Sequence, residues 1–196
     1  MLRRHPGLLL VTMVFAACGA TDSSPATSEI ESGEVAFVTA DHPPLTSEGW
    51  GPLRIGISLE AVVEAAGEDA NPDAVGGPYP DECDELRPVR APVGMIVMLE
   101  ARTLTRISLR AGSQVRTDRG IGVGDPASAV REIYGNTLVA SPHKYRSAPS
   151  EYLTVQERSG PGDELLRGIV YEIGNDGNVE RVHAGGPSIQ YVEGCL

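Results

Sequence analysis

Two segments of the chain share one pattern of apolar and polar positions, and each is bounded by glycine. In residues 56–67 and 120–135 the apolar side chains recur at the spacing of one helical face. Ser58 and Asp125 are the predicted N-caps, because their side chains can accept from the free N–H groups of a first helical turn. The second helix is expected to begin at Pro126. Each helix is too short to be stable alone, so each must dock on another element.

Apolar runs with the spacing of paired strands follow each predicted helix. The last two runs are separated by a stretch of Gly, Asn and Asp, residues that tolerate the positive φ of tight hairpin turns. The chain between the first helix and its strands, residues 68–92, contains Asn-Pro and Gly-Gly-Pro breaks and is expected to be irregular. The predicted strands are residues 93–99, 103–110, 152–157, 168–173 and 179–184.

The order of helix, strand, turn and strand is the same in the two halves of the chain. The sequence offset between equivalent residues of the two halves is larger for the strands than for the helices. The second half therefore contains extra residues, which we place at 136–151. The predicted fold is α+β, with two tandem repeats that each pack a short helix on an antiparallel sheet. The predicted repeat units are residues 50–115 and 116–196.

The N-terminus has the pattern of a signal peptide. Arg3 and Arg4 precede an apolar run over residues 8–17, which has the length of a signal-peptide core and is too short to cross a bilayer. We therefore predict that the chain is exported from the cytoplasm.

The apolar run ends in Phe-Ala-Ala-Cys at residues 15–18, which resembles the lipobox of bacterial lipoproteins. The resemblance implies that residues 1–17 are removed as a signal peptide and that Cys18 is acylated. Ordinary cleavage after Ala20 is the alternative. We therefore predict that the protein is located in the cell envelope, where the lipid anchors it to a membrane outside the cytoplasm.

Residues 18–49 are predicted to be the lipidated N-terminus and a disordered tether, because Ser, Thr, Pro, Glu and Asp dominate them. One apolar patch, residues 35–38, interrupts this composition. That patch could instead add a strand to the edge of the folded domain. Trp50, the only tryptophan, is the expected start of the folded region.

The chain is acidic, with 16 basic and 27 acidic residues and a net charge of −11. Removal of residues 1–17 deletes two arginines and makes the net charge −13. This charge argues against nucleic acid or an anionic membrane surface as a ligand. Residues 55–86 contain nine acids and no base, whereas residues 87–119 contain seven arginines. The two segments either pair with each other or present a binding surface of one sign.

Cys83 and Cys195 are the two cysteines that remain after either cleavage. In an exported protein such a pair is expected to form a disulfide. The bond would tie the C-terminus to the first repeat unit and stabilise the fold by limiting the freedom of the unfolded chain.

The sequence lacks a recognisable catalytic or metal-binding motif. A thiol that is committed to a disulfide is neither a nucleophile nor a ligand. The segment 56–60 lacks the second glycine of a nucleophile elbow. The histidines are dispersed, without partners at metal-ligand spacing. We therefore predict no catalytic residue, no metal and no cofactor, and a protein that is not an enzyme.

The glycine-bounded helices followed by sheet strands resemble the small outer-membrane assembly lipoproteins of the SmpA/OmlA type and the β-lactamase inhibitor protein. The resemblance implies a binding role, because those relatives act by binding proteins. We therefore predict a non-catalytic envelope lipoprotein that binds a protein or a cell-wall component, with the membrane, through the lipid anchor, and an envelope protein as partners. A secreted hydrolase or small-molecule binder that uses Asp and Glu side chains is the alternative. Two carboxylates that converge in a cleft, about 5 to 10 Å apart, would favour that alternative.

The predicted partner-binding residues are His143, Lys144, Tyr145 and Arg146, in the extra length of the second unit. This segment contains the only lysine of an acidic chain. Tyr and Arg are the residue types that concentrate binding energy at interfaces, and loops on a rigid scaffold often carry function. The alternative is a solvated connection whose Tyr145 packs back on the sheet.

Overall fold

A computed structural model describes residues 42–73, 76–158 and 166–195. The predicted signal peptide, the lipid attachment site Cys18 and most of the predicted tether lie outside these ranges. Single-turn 3-10 helices at Gly135–Thr137 and Pro187–Gln190 accompany the main elements. In chain order these are β1 (Leu45–Thr46), β2 (Gly49–Trp50), β3 (Leu53–Arg54), α1 (Leu59–Ala66), β4 (Cys83–Leu86), β5 (Met95–Glu100), β6 (Thr103–Leu109), α2 (Ala127–Tyr134), β7 (Val139–Pro142), β8 (Glu151–Arg158), β9 (Leu166–Ile173) and β10 (Val179–Gly185).

Seven of the described strands form one antiparallel sheet in the order β4-β5-β6-β10-β9-β8-β7, and β1 to β3 form a small second sheet. The predicted α+β class is confirmed. The two predicted units do not have separate sheets, because β6 pairs directly with β10 and Leu109 lies opposite Val182. The predicted hairpins β5–β6 and β9–β10 are both present.

One face of the seven-stranded sheet, the inner face, carries the hydrophobic core. Alternate residues of the strands point to this face, as the period of a half-buried strand requires. Helix α1 packs on it through Val62 and Ala66, and helix α2 through Val130. Leu45 and Trp50 of the small sheet join the same cluster. Strand residues of the cluster include Val97, Leu99, Ile107, Leu109, Leu153, Ile169, Tyr171 and Val182.

The predicted end signals of the helices are largely confirmed. The Ser58 hydroxyl accepts from the Ala61 N–H at 3.4 Å and caps α1. Gly67 and Gly135 follow the two helices with φ of +87° and +50°, a region that strains residues with a side chain. The helices therefore begin and end close to where the glycine-bounded pattern places them.

The predicted role of Asp125 as the cap of α2 is wrong. Pro126 occupies the N-cap position, and α2 has no side-chain cap. The Asp125 carboxylate instead accepts from the Gly122 N–H at 2.8 Å and from the Arg116 guanidinium at 2.7 Å. The carboxylate therefore stabilises the turn before the helix.

Strands β4 and β7 lie in segments that were expected to be irregular or inserted loops. Among the described strands both are at the edges of the large sheet, with one neighbour each. Their composition, Cys-Asp-Glu-Leu and Val-Ala-Ser-Pro, lacks the apolar alternation that marks a half-buried strand. At the N-terminal side, Leu45 in β1 is fully buried, so the described fold starts before Trp50.

After β10 the chain turns back across the second face of the sheet as the C-terminal strap, residues 186–195. The 3-10 helix Pro187–Gln190 is part of the strap and packs against β6, β9 and β10. The strap ends at Cys195, which is bonded to Cys83 in β4. The predicted disulfide is therefore confirmed, and it joins residues 112 positions apart.

Replacing both cysteines, as Cys83→Ser/Cys195→Ser, should lower the free energy of unfolding by about 4 kcal/mol. The unfolded chain gains the freedom that the closed loop of 112 residues denies it. Urea denaturation of the variant measures this loss, and the wild type in a reductant is the matched control that should lose the same amount. An unchanged unfolding midpoint in both samples would contradict the prediction.

Candidate functional site

The second face of the seven-stranded sheet, here called the polar face, carries charged side chains at buried positions. Register places Glu85 opposite Met98 and Met98 opposite Arg106, so these side chains form one row across β4, β5 and β6. Ser108 and His183 form the neighbouring row across β6 and β10, and the Ser108 hydroxyl lies 2.8 Å from His183 Nδ1. Burying a polar group costs free energy unless the group is hydrogen-bonded or paired. The hydrogen-bond and ion-pair partners of these side chains therefore determine the structure of the polar face.

Arg106 fastens the C-terminal strap to the polar face. Its guanidinium, only 3% exposed, donates from Nη2 to Glu85 Oε1 at 2.6 Å. Nη1 donates to the carbonyl oxygens of Ser188 at 3.0 Å and Tyr191 at 2.9 Å. Burial lowers the pKa of Arg106, and the Glu85 carboxylate acts against this shift. One side chain therefore joins the sheet, its edge strand and the strap.

Glu172 is the centre of a second buried cluster. Its carboxylate accepts from Arg146 Nη2 at 2.6 Å and from Arg181 Nη1 at 3.0 Å. His143 Nε2 lies 3.1 Å from it. Burial raises the pKa of Glu172, but hydrogen bonds from His183 and His143 and the charge of Arg181 together hold that pKa well below its usual range. Glu172 is therefore a buried carboxylate that is charged because its neighbours are cationic or donate to it.

The four predicted partner-binding residues divide into two pairs. His143 and Arg146 turn inward to Glu172, and Arg146 also donates to Glu180 at 2.6 Å. The Tyr145 side chain does not pack back on the sheet, since Tyr145 is 59% exposed. Lys144 is also exposed. The inward pair anchors the loop, and the outward pair is its accessible surface.

Lys144 brings this loop next to the C-terminal strap. Its ammonium lies 3.2 Å from the Glu193 carboxylate of the strap. The same ammonium lies 5.1 Å from the centre of the Tyr145 ring, a cation–π distance. The accessible surface of the loop is therefore continuous with the strap.

A groove of about 610 Å³ runs between the strap and the loop before β4. The Cys83–Cys195 disulfide forms part of its lining, with Gly77 packed beside it. A side chain at Gly77 would place its Cβ 2.8 Å from the Cys195 carbonyl oxygen, so only glycine allows this approach. The groove, called the tyrosine groove below, is lined by Pro78, Tyr79, Glu82, Cys83, Glu100, Lys144 and residues 190–195.

Three exposed tyrosines lie at or beside this groove. Tyr79 and Tyr191 line it and are 67% and 45% exposed, and Tyr145 adjoins it through Lys144. In contrast, Tyr134 and Tyr171 are turned into the molecule, where their hydroxyls lie 2.9 Å apart. Within the described part of the chain, every tyrosine exposed as a large apolar surface belongs to this region.

Sequence reasoning did not single out Tyr79 or Tyr191. The signal that could have found them is the predicted disulfide, because each tyrosine is four residues before one of its cysteines. A bond between Cys83 and Cys195 necessarily brings both flanking segments together. The sequence could therefore have predicted that Tyr79 and Tyr191 lie close together.

The tyrosine groove is acidic. Glu82, Glu100 and Glu193 line it, and Lys144 is its one lining lysine, already paired with Glu193. A hydrogen bond to Glu100, together with the charge of that carboxylate, raises the pKa of the Tyr191 hydroxyl. The surface therefore offers aromatic rings beside carboxylates. A ligand could bind there through contacts with the rings and through electrostatic attraction to the carboxylates.

Several acids of residues 55–86 pair with arginines of residues 87–119 within the molecule. Glu85 pairs with Arg106 at 2.6 Å, and Asp81 lies 3.6 Å from Arg102. Within residues 42–73, 76–158 and 166–195, no group of three or more His, Cys, Asp or Glu is arranged to hold a metal ion. In the same ranges no helix is both long enough and apolar enough to cross a membrane.

Comparisons of the chain with protein-family models, with curated proteins and with solved structures found no match. The resemblance to envelope lipoproteins and to the β-lactamase inhibitor protein therefore stays a prediction from the sequence pattern.

Replacing Glu172 by Gln should lower the free energy of unfolding at neutral pH by about 2 kcal/mol. The change removes the buried counter-charge of Arg146 and Arg181, whose side chains are themselves 26% and 37% exposed. Glu180→Gln is the matched control, since Glu180 pairs with the same Arg146 but its side chain is 40% exposed. The control should lose less than about 1 kcal/mol. Equal losses in urea denaturation would show that burial does not distinguish the two pairs.

The stabilisation from Glu172 should also depend on pH. Its pKa is lower in the folded protein than its ordinary value of 4.5, so the unfolded chain takes up the proton first. The stabilisation is therefore complete above that value and decreases as the pH falls below it. Unfolding free energies measured across this acidic range should decrease more steeply in the wild type than in Glu172→Gln. Parallel curves would contradict the assignment.

Proposed function

We propose that this protein is a non-catalytic binding protein of the cell envelope, anchored by a lipid on Cys18. The proposed ligand is a protein or cell-wall component, held on the polar face at the tyrosine groove and at the adjoining Lys144 and Tyr145. The observation that supports this proposal is the concentration of exposed tyrosines on one rigid surface.

Exposed tyrosine is well suited to recognition because it combines a large rigid ring with a polar hydroxyl. Soluble proteins rarely gather such side chains on one surface without a binding role. Here the disulfide and the Arg106 hydrogen bonds hold the groove in one conformation. Binding then requires little ordering of the protein, which favours affinity.

We also propose that the two halves of the fold are repeats. The order of strands is symmetric about the pairing of β6 with β10, with β5 and β4 on one side and β9 and β8 on the other. Each half contributes one helix to the inner face. Strand β7, which has no counterpart among the described strands of the first half, lies in the extra length of the second half. This arrangement supports the duplication inferred from the sequence.

The lipid anchor is tested by Cys18→Ala. The variant should accumulate as an unprocessed precursor, because acylation of the cysteine precedes cleavage at a lipobox. Mass spectrometry of the wild-type N-terminus should find Cys18 acylated and residues 1–17 removed. A mature N-terminus at Thr21 without lipid would show ordinary cleavage after Ala20 instead.

The binding surface is tested by Lys144→Ala/Tyr145→Ala, in which both exposed loop side chains are removed. The variant should keep its melting temperature and lose capture of the partner retained by the wild type from envelope extract. The matched control is Glu132→Ala/Ile133→Ala, two exposed residues on α2, across the sheet from the groove. Unchanged capture by the loop variant would place the binding surface elsewhere.

Arg146 is left unchanged in this experiment because its guanidinium is bonded to Glu172 and Glu180. Its removal would disturb the buried cluster and confuse loss of binding with loss of folding. The structure therefore separates the loop residues that test function from those that test stability.

A further inference from the structure

We propose that the occupant of the tyrosine groove is a cationic, extended segment of another protein, whose Lys or Arg side chains lie among the tyrosine rings and the groove carboxylates. The inference rests on the proposed function, and it names the chemistry of the partner at that site. The groove geometry, its charge and its aromatic content each support it.

The groove is open to solvent. It is lined by Pro78, Tyr79 and Glu82 of the loop before β4, by Cys83 at the start of that strand, and by residues 190–195 of the strap. Sites for small ligands usually enclose most of the ligand surface. An open groove of this volume instead suits a chain that lies in it with its own backbone partly exposed.

The charge of the groove selects a cation. Glu193 already neutralises Lys144, which leaves the carboxylates of Glu82 and Glu100 as the excess charge of the lining. Asp81, next to the groove, is paired with Arg102 at 3.6 Å and therefore adds little to this excess. The predicted mature chain is itself strongly acidic, so its field attracts a basic segment and repels an acidic one.

The tyrosines complete the match, because ammonium and guanidinium groups bind to the faces of aromatic rings. Lys144 already makes this contact with Tyr145 inside the molecule, at 5.1 Å. Tyr79 and Tyr191 line the same groove with exposed rings. A Lys or Arg of a partner can therefore contact a ring and a carboxylate at once, which neither group offers alone.

The surface is also held in place before binding. The disulfide joins β4 to the strap within the lining of the groove, and the Gly77 backbone packs directly against it. Arg106 holds the strap through the Ser188 and Tyr191 carbonyls. The exposed rings are thus presented on a backbone that needs no folding upon binding, so a short segment can bind specifically.

The test begins with selection of short random peptides on the purified mature protein. Peptides that also bind the variant Tyr79→Ser/Tyr191→Ser are discarded, which keeps the peptides that need the groove. We expect the retained peptides to be rich in Lys and Arg. One of them, synthesised with a fluorescent label, is the probe for measurements of Kd at low and high salt.

The carboxylates are tested with Glu82→Gln/Glu100→Gln, which should weaken binding of this probe about tenfold or more. The matched control is Glu64→Gln/Glu132→Gln, which removes the same charge from exposed positions on α1 and α2. We expect the control variant to change the Kd of the probe only a little. Any change should depend on salt, because it comes from the net charge of the protein. All variants should have the melting temperature of the wild type, which shows that they fold.

Three results would overturn the inference. Retained peptides that are neutral or acidic would show that the groove binds proteins by other chemistry, and the proposed binding function would survive. Equal weakening in the control variant would show that net charge, and not the groove, attracts the peptide. If no peptide depends on Tyr79 and Tyr191, the inference fails, and a cell-wall oligosaccharide tested on the same variants then decides whether the groove has any binding role.

Discussion

The arrangement of the polar face depends on the contacts of one buried group, the guanidinium of Arg106. It joins a carboxylate of the edge strand β4 to two backbone carbonyls of the C-terminal strap. A buried charge is costly unless it is paired and hydrogen-bonded. Nε of Arg106 has no hydrogen-bond partner among the described residues, whereas both terminal nitrogens are bonded. The strap therefore has to cross the sheet at this place, and its crossing brings Cys195 to Cys83.

The two faces of the sheet are stabilised in different ways. The inner face buries aliphatic side chains under the two helices, and this packing does not depend on direction. The polar face also buries Ile96, Met98 and Val170, but its charged groups depend on directional contacts. Arg106 and Glu172 are at the centres of its two polar clusters. Because directional contacts lose strength when geometry changes, the polar face holds the strap and the loop at residues 143–146 in defined positions.

The tyrosine groove is a consequence of these two clusters. One cluster holds the strap with Tyr191, the other anchors the loop with Tyr145, and the disulfide adds the segment that carries Tyr79. None of these tyrosines is needed to fill the core, since all three are exposed. Stability and the proposed binding surface thus use different side chains of the same segments, so substitutions at the tyrosines should separate function from folding.

The sequence by itself determined the parts of this protein that depend on neighbours along the chain. Both glycine-bounded helices, the two hairpins and the α+β class follow from local periodicity and turn chemistry. Cysteine parity identified the disulfide. Only the tertiary structure decided that His143 and Arg146 turn inward, that Asp125 stabilises a turn, and that Tyr79 and Tyr191 share a groove. The position of such a polar or aromatic side chain depends on contacts with residues distant in sequence. A local sequence pattern does not indicate which residues these are.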